Sequence, residues 1–118
     1  TICLYGNGNQ KRDFNYVSDV CDAFILAATK KEAIGQLYNL GFHTPYSLTE
    51  FVSTLKNYSS FNYKTIPFPE EKKKIDIGSY YSDYSKISEE LGWKPLIDLK
   101  KGLKLTVDFY KENMEYYL

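Results

Sequence analysis

A glycine-rich turn near the start of the chain leads into an Arg-Asp-aromatic triplet, and this junction constrains the fold more than any other segment. Gly6-Asn7-Gly8 follows an apolar run, and Arg12, Asp13 and Phe14 come shortly after it. Because glycine and asparagine tolerate positive φ, the turn is expected to end a short strand at Ile2–Tyr5. The planar guanidinium of Arg12 suits a bidentate anion such as phosphate. The alternative is a structural arginine paired with a neighbouring carboxylate such as Asp13.

The hydrophobic periodicity and the capping residues predict an α+β domain with three or four helices and short strands. Ser18 is the expected N-cap of a helix over residues 19–29. Ser47-Leu48-Thr49-Glu50 forms a capping box at the start of a second helix. A third helix is expected over residues 84–91 and ends at Gly92. Asp98 caps the last helix, whose apolar stripe consists of Leu99, Leu103, Val107, Tyr110 and Met114.

Three further extended segments and one loop complete the predicted order of elements. Residues 14–17, residues 36–40 and Tyr63–Ile66 have the apolar composition of short strands. Pro67-Phe68-Pro69 stops the last of these, because proline cannot donate to a strand ladder. The charged residues 70–74 are predicted to form a loop, and Trp93 is predicted to be a packing residue.

Composition limits the classes of function. The chain has 118 residues, 43% of them hydrophobic, and equal numbers of acidic and basic side chains. The length and the hydrophobic fraction predict one domain with a hydrophobic core. The balanced charge predicts no nucleic-acid partner and no membrane partner. Cys3 and Cys21 are expected to be reduced, mostly buried thiols of a cytoplasmic protein. With one histidine, His43, and no Cys-x-x-Cys motif, no metal site is expected.

The turn with Arg12, together with Asn39-Leu40-Gly41 and Leu91-Gly92-Trp93-Lys94-Pro95, resembles the C-terminal part of the extended short-chain dehydrogenase/reductases that act on nucleotide sugars. The resemblance covers nearly all of the chain. It implies that residues 1–118 form the small nucleotide-sugar-binding domain of a longer enzyme. The start of the chain at Thr1, within a predicted strand, also favours an excised C-terminal part. The dinucleotide-binding domain would precede this part.

The resemblance also assigns candidate substrate-binding residues. Arg12 would clamp the pyrophosphate, and Tyr5 would stack on the nucleotide base, unless its ring belongs to the core. Lys73 matches the second phosphate contact, where the family commonly has arginine in an Arg-x-Gly-Asp pattern, unless the segment is a solvated charged loop. Asp76 would orient a sugar hydroxyl or brace the loop. These four positions are the predicted site.

Catalytic and cofactor residues are not predicted in this chain. Gly6-Asn7-Gly8 continues into Lys11, so no Gly-x-Gly-x-x-Gly fingerprint is present. None of the 12 tyrosines has a lysine four residues later, which is the spacing of the family's acid/base pair. NAD or NADP would therefore be bound by the preceding domain of the whole enzyme, and the fragment alone would be inactive.

Several alternatives stay open on the sequence alone. A 4-epimerase of the UDP-glucose type is favoured, and a heptose 6-epimerase and a dTDP-glucose 4,6-dehydratase are the related alternatives. A non-catalytic nucleotide-sugar-binding or regulatory module is the alternative of another class. We expect the fragment to self-associate through uncovered apolar surface, and the full-length enzyme to form a homodimer.

Overall fold

The computed structural model describes residues 1–117, and it contains two small sheets. Strand β1 (Ile2–Tyr5) pairs in parallel with β4 (Tyr63–Ile66), so that Tyr5 lies opposite Ile66. Strand β2 (Lys11–Arg12) pairs antiparallel with β3 (Tyr46–Ser47). Both strands of the first sheet are where the sequence predicts them. Arg12 forms an additional parallel bridge with Tyr80, which joins the second sheet to the segment before the helix Ser85–Leu91.

Within residues 1–117, five α-helices and two single 3₁₀ turns accompany these sheets, and the class is α+β as predicted. The helices are α1 (Val17–Thr29), α2 (Leu48–Leu55), α3 (Glu70–Lys73), α4 (Ser85–Leu91) and α5 (Leu99–Glu112). The 3₁₀ turns are Lys31–Ala33 and Met114–Tyr116.

Local capping signals account for the ends of three helices. Ser47 accepts a hydrogen bond from the backbone N–H of Glu50, whose carboxylate accepts from the backbone N–H of Ser47, so the predicted capping box is present. Asp98 accepts from the backbone N–H of Lys101 at 2.8 Å. Gly92 ends α4 in the left-handed conformation with φ +76°.

The central core joins α1 to α4 through Trp93. Ala23, Ile87, Leu91 and Trp93 form one buried cluster, and Tyr84 meets the Trp93 ring edge-on with centroids 5.8 Å apart. The indole N–H donates to the backbone carbonyl of Asp19 at 2.7 Å, so its polar atom is satisfied inside the core. The prediction that Trp93 is a packing residue is confirmed.

Two predicted strands are absent from the described residues. Residues 14–16 have no ladder partner. The strand pairing falls instead on Lys11–Arg12, while the Phe14 ring packs on Phe51 of α2 with centroids 4.7 Å apart. Residues 36–40 also lack a strand partner, and Tyr38 and Leu40 lie against the central core. Both predictions were wrong for the same reason, since a strand requires a neighbour as well as a suitable composition.

Three helix predictions also need correction. Helix α1 begins at Val17 after Tyr16, so Ser18 lies inside the helix and does not cap it. The predicted loop over residues 70–74 is the short helix α3, because two glutamates in its first turn and two lysines in its last turn complement the helix dipole. Met114 lies beyond the end of α5, in the second 3₁₀ turn.

Both cysteines are free and exposed, so the prediction of mostly buried thiols was wrong. Cys3 alternates with Leu4, which is the buried residue of β1, and therefore points away from the covered face. Cys21 lies between Asp19 and Ala23, which are the buried residues of α1, and therefore on the opposite side of the helix. None of the helices within residues 1–117 has the length and apolar character needed to cross a membrane.

Candidate functional site

The glycine turn after β1 is fixed against the first turn of α2. Gly6 and Gly8 adopt φ values of +67° and +71°. The carbonyl of Gly8 accepts from the backbone N–H of Thr49 at 3.1 Å and from its hydroxyl at 3.2 Å. A Cβ atom at position 8 would lie 2.5 Å from the Thr49 hydroxyl oxygen. Only glycine therefore fits this position, and the turn delivers the chain to β2 in a fixed direction.

Arg12 is held by two backbone carbonyls. Its Nη1 donates to the carbonyl of Lys11 at 2.8 Å and to the carbonyl of Gly78. Its Nη2 lies 4.0 Å from Oδ1 of Asp76, and the two side chains are 29% and 27% exposed. The guanidinium is thus oriented by the segment after α3 while part of its surface faces solvent. This geometry leaves N–H donors for a further anion, because a guanidinium has five.

The carboxylate beside Arg12 in sequence has another role. Oδ2 of Asp13 accepts from the backbone N–H of Ser82 at 2.8 Å. A Cβ atom at Gly41 would lie 2.6 Å from the same oxygen, so the glycine lets the loop after residue 40 approach this contact closely. Asp13 therefore braces the backbone, and the acidic neighbour of the Arg12 guanidinium is Asp76.

Asp76 also shapes its own turn. Its Oδ2 accepts from the backbone N–H of Gly78 at 2.9 Å, and Gly78 has φ +67°. One carboxylate thereby fixes the turn whose carbonyl receives Arg12, and it also lies near the guanidinium. The structure thus brings together two of the four predicted site residues, Arg12 and Asp76.

Tyr5, at the end of β1, belongs to a second group of contacts. Its ring lies 5.5 Å from that of Phe68, with an angle of 44° between the planes. The ammonium group of Lys72 donates to the Tyr5 hydroxyl at 2.8 Å and lies 4.7 Å from the ring centroid. The ring is half-buried, so it is neither a core residue nor a free surface side chain.

Lys73, the fourth predicted site residue, ends α3 with an exposed side chain. Within residues 1–117, its side chain takes part in none of the hydrogen bonds or ion pairs found. Of the three consecutive lysines at residues 72–74, it is Lys72 that contacts another predicted site residue, Tyr5.

The contacts form two groups, one around Arg12 and Asp76 and one around Tyr5. The sequence did not indicate Gly78 as part of the first group, nor Phe68 and Lys72 as parts of the second. Gly78 carried a usable signal, because a glycine two residues after an aspartate favours an aspartate-capped turn. Phe68 and Lys72 carried none, since their contacts depend on where α3 folds back towards β1. The exposed His43 stacks on Phe42, with ring centroids 4.2 Å apart, and lies outside both groups.

These groups have the chemistry of binding. They offer a fixed guanidinium, lysine ammonium groups, an aromatic ring and a carboxylate, which together match a phosphate ester with an attached ring. In the part of the chain that the structure describes, no cluster of three histidine, cysteine or carboxylate side chains is arranged to hold a metal ion.

Comparisons with known proteins identify the family of this chain. The family model described as GDP-mannose 4,6 dehydratase matches residues 1–106. The dTDP-D-glucose 4,6-dehydratase of Mus musculus is 31% identical over an alignment of 117 positions, and the match covers 94% of this chain and 32% of the relative. The UDP-glucose 4-epimerase of Thermotoga maritima, solved with UDP-glucose, superposes with a TM-score of 0.82 at 28% identity, over 96% of this chain and 35% of that one.

A second solved enzyme has a similar fold over nearly the whole of this chain. The dTDP-glucose 4,6-dehydratase of Streptomyces venezuelae, solved with NAD bound, has a TM-score of 0.83 at 26% identity, over 98% of this chain and 35% of that chain. The chain spans about a third of the length of the curated relatives it matches. It belongs to the GDP-mannose 4,6 dehydratase family of extended short-chain dehydrogenase/reductases, and it matches the C-terminal part of their nucleotide-sugar epimerases and dehydratases.

Proposed function

We propose that this chain is the nucleotide-sugar-binding domain of an NAD-dependent epimerase or dehydratase, in which Arg12 binds the diphosphate of the substrate. The observation that carries the proposal is the fixed guanidinium, which is oriented by the Gly78 carbonyl and leaves N–H donors uncommitted. Diphosphates accept such donors in pairs, and a preoriented guanidinium loses little entropy on binding them.

The other predicted site residues take complementary roles in this proposal. Tyr5 receives the nucleotide base on its ring, because stacking on an aromatic side chain depends little on base identity. Lys73 supplies a second, less directional positive charge for the diphosphate. Asp76 holds the turn that orients Arg12, and its remaining accepting capacity is available to a sugar hydroxyl.

For the whole enzyme we propose a 4-epimerase of the UDP-glucose type, supported by the solved epimerase with UDP-glucose among its similar structures. A dTDP-glucose 4,6-dehydratase is the second candidate, favoured by the mouse relative and by a solved dehydratase of equal structural similarity. The acid/base pair and the NAD-binding residues would lie in the preceding domain. We further propose a cytoplasmic homodimer, and an isolated 118-residue chain without activity.

The first prediction concerns Arg12→Ala in the full-length enzyme. Charge-assisted hydrogen bonds contribute about 1.5–3 kcal/mol each, so the dissociation constants for UDP and dTDP should rise about 10- to 100-fold. Lys73→Ala should cost about tenfold or less and lose its effect in salt, because a flexible exposed lysine acts as a screened point charge. Isothermal titration of each variant with both nucleotides measures these changes.

Arg12→Lys is the matched control, because it keeps the positive charge and loses the planar fork. We expect an affinity between those of the wild type and Arg12→Ala. The affinity for NAD should be unchanged in all three variants. An Arg12→Ala enzyme that melts at a lower temperature but binds both nucleotides as tightly as the wild type would make Arg12 a structural residue and refute the proposal.

A further inference from the structure

Lys72 lies beside the ring on which the proposed function stacks the base, yet that function gives it no role. We infer that Lys72 is a positioning residue, whose ammonium group holds the Tyr5 ring in the orientation that receives the nucleotide base. The inference rests on the proposed function, since it takes Tyr5 to be the stacking side chain.

The position of the ammonium group supports an orienting role. The Nζ atom of Lys72 is 2.8 Å from the Tyr5 hydroxyl oxygen but 4.7 Å from the ring centroid. The cation therefore lies towards the hydroxyl edge of the ring and does not cover its centre. A hydrogen bond to the hydroxyl oxygen fixes the far end of the side chain and restricts its swing about the Cα–Cβ bond, while it leaves aromatic surface for a base.

The secondary-structure elements around Tyr5 determine where Lys72 lies relative to the ring. Tyr5 ends β1, and Phe68 follows the paired strand β4, so the two rings meet just beyond the sheet. Pro69 then leads into α3, whose single turn is closed by a hydrogen bond from the Lys73 backbone N–H to the Pro69 carbonyl at 2.9 Å. This turn places Lys72 beside the Tyr5 hydroxyl and leaves Lys73 on a different side of the helix.

The chemistry of an ammonium group suits a contact that orients the Tyr5 hydroxyl. An ammonium group has three donors and no acceptor, so it can donate only to the lone pairs of the phenolic oxygen. The hydroxyl of Tyr5 keeps its own proton for another partner. In a bound complex, Lys72 would act through Tyr5, while Arg12 and Lys73 would meet the phosphates directly.

The test is a double-mutant cycle in the full-length enzyme, with UDP and dTDP as the titrated probes. Lys72→Met keeps the length of the side chain but removes the donor, and Tyr5→Phe keeps the ring but removes the acceptor. Each change should weaken binding about three- to tenfold, because each breaks the same charged hydrogen bond. The double variant should have about the same affinity as the single variant that binds less tightly. Both substitutions remove the same hydrogen bond, so their losses should not multiply.

Two controls separate positioning from a general charge effect. Lys72→Arg retains a donor and should restore most of the affinity. Lys73→Met, combined with Tyr5→Phe, should give losses that multiply, because Lys73 does not contact the hydroxyl.

The inference is overturned if Lys72→Met binds both nucleotides like the wild type, or if its loss multiplies with that of Tyr5→Phe. Either result leaves the proposed function standing when Arg12→Ala and Tyr5→Ala still weaken binding. If these two variants bind normally, the proposed function fails and takes the inference with it.

Discussion

Asp19 and Arg12 are both charged, but their surroundings give them different roles. Asp19 is only 2% exposed, and its Oδ2 accepts from the backbone N–H groups of Leu96 at 3.0 Å and Ile97 at 2.9 Å. Its carboxylate thus caps the backbone that follows Trp93 and is closed to ligands. Arg12, in contrast, donates through Nη1 to two backbone carbonyls, and its side chain remains 29% exposed. Burial and hydrogen bonding thus give Asp19 a structural role, whereas the exposed part of Arg12 is available for the binding role proposed above.

Asp19→Ala should therefore destabilise the protein strongly. The change leaves two partly buried N–H groups without an acceptor, and each such group costs about 1–3 kcal/mol. We expect the free energy of unfolding to fall by about 2–4 kcal/mol in urea denaturation, which is large for a single substitution. Asp22→Ala on the exposed side of the same helix is the control and should change it by about 0.5 kcal/mol or less. Equal effects of the two substitutions would contradict this account of Asp19.

At the scale of single elements, helix α2 should respond to acid through its capping box. The backbone N–H and the hydroxyl of Ser47 donate to the Glu50 carboxylate and lower its pKa below the ordinary 4.5. A lowered pKa in the folded state means that the stabilisation is complete above about pH 4.5 and is lost as the pH falls through the folded value. Urea unfolding in this acidic range should show wild type losing more stability than Glu50→Gln, which cannot titrate.

Ser47→Ala tests the cause of this pH dependence. It removes the hydroxyl bond but keeps the backbone bond, so its loss of stability in acid should be smaller than that of the wild type and larger than that of Glu50→Gln. An identical pH dependence in all three proteins would show that the capping box does not account for the acid response.

Elements whose ends carry local signals were predictable from the sequence, whereas short strands without such signals were not. Ile2–Tyr5, Tyr63–Ile66 and the cap at Ser47 follow from turns, prolines and capping side chains. The two-residue strands Lys11–Arg12 and Tyr46–Ser47 exist only because they meet each other, and no local pattern marks them. Residues 36–40 have a strand composition but no partner within residues 1–117.

The candidate site shows the same division. Arg12 and Asp76 were each predicted from a local motif, and the fold places Nη2 of the first 4.0 Å from Oδ1 of the second. Lys72 was not predicted, because its contact with Tyr5 depends on α3, which the sequence indicated as a loop. Local motifs therefore indicated Arg12 and Asp76, whereas the contact between Lys72 and Tyr5 became visible only in the fold.

At the scale of the whole molecule, the main feature is a set of large apolar side chains that the fold leaves exposed. Five apolar side chains on or just after α1 are between 59% and 80% exposed, namely Val17, Phe24, Ile25, Ile34 and Leu37. Within residues 1–117, the outer edges of the two-stranded sheet of β1 and β4 also have no strand partner. Surfaces and edges of this kind favour association with other chains or domains.

The 118-residue chain on its own should therefore form dimers or larger oligomers at about millimolar concentration. A net charge of zero at neutral pH adds little repulsion between copies. Phe24→Asp combined with Leu37→Asp places charge on the exposed apolar group and should shift the species seen by sedimentation towards monomer. Asn57→Asp adds a negative charge at the end of α2, outside this group, and should leave the distribution unchanged. A wild-type chain that sediments as a strict monomer at this concentration, with a well-dispersed NMR spectrum, would show that these side chains tolerate water without a partner.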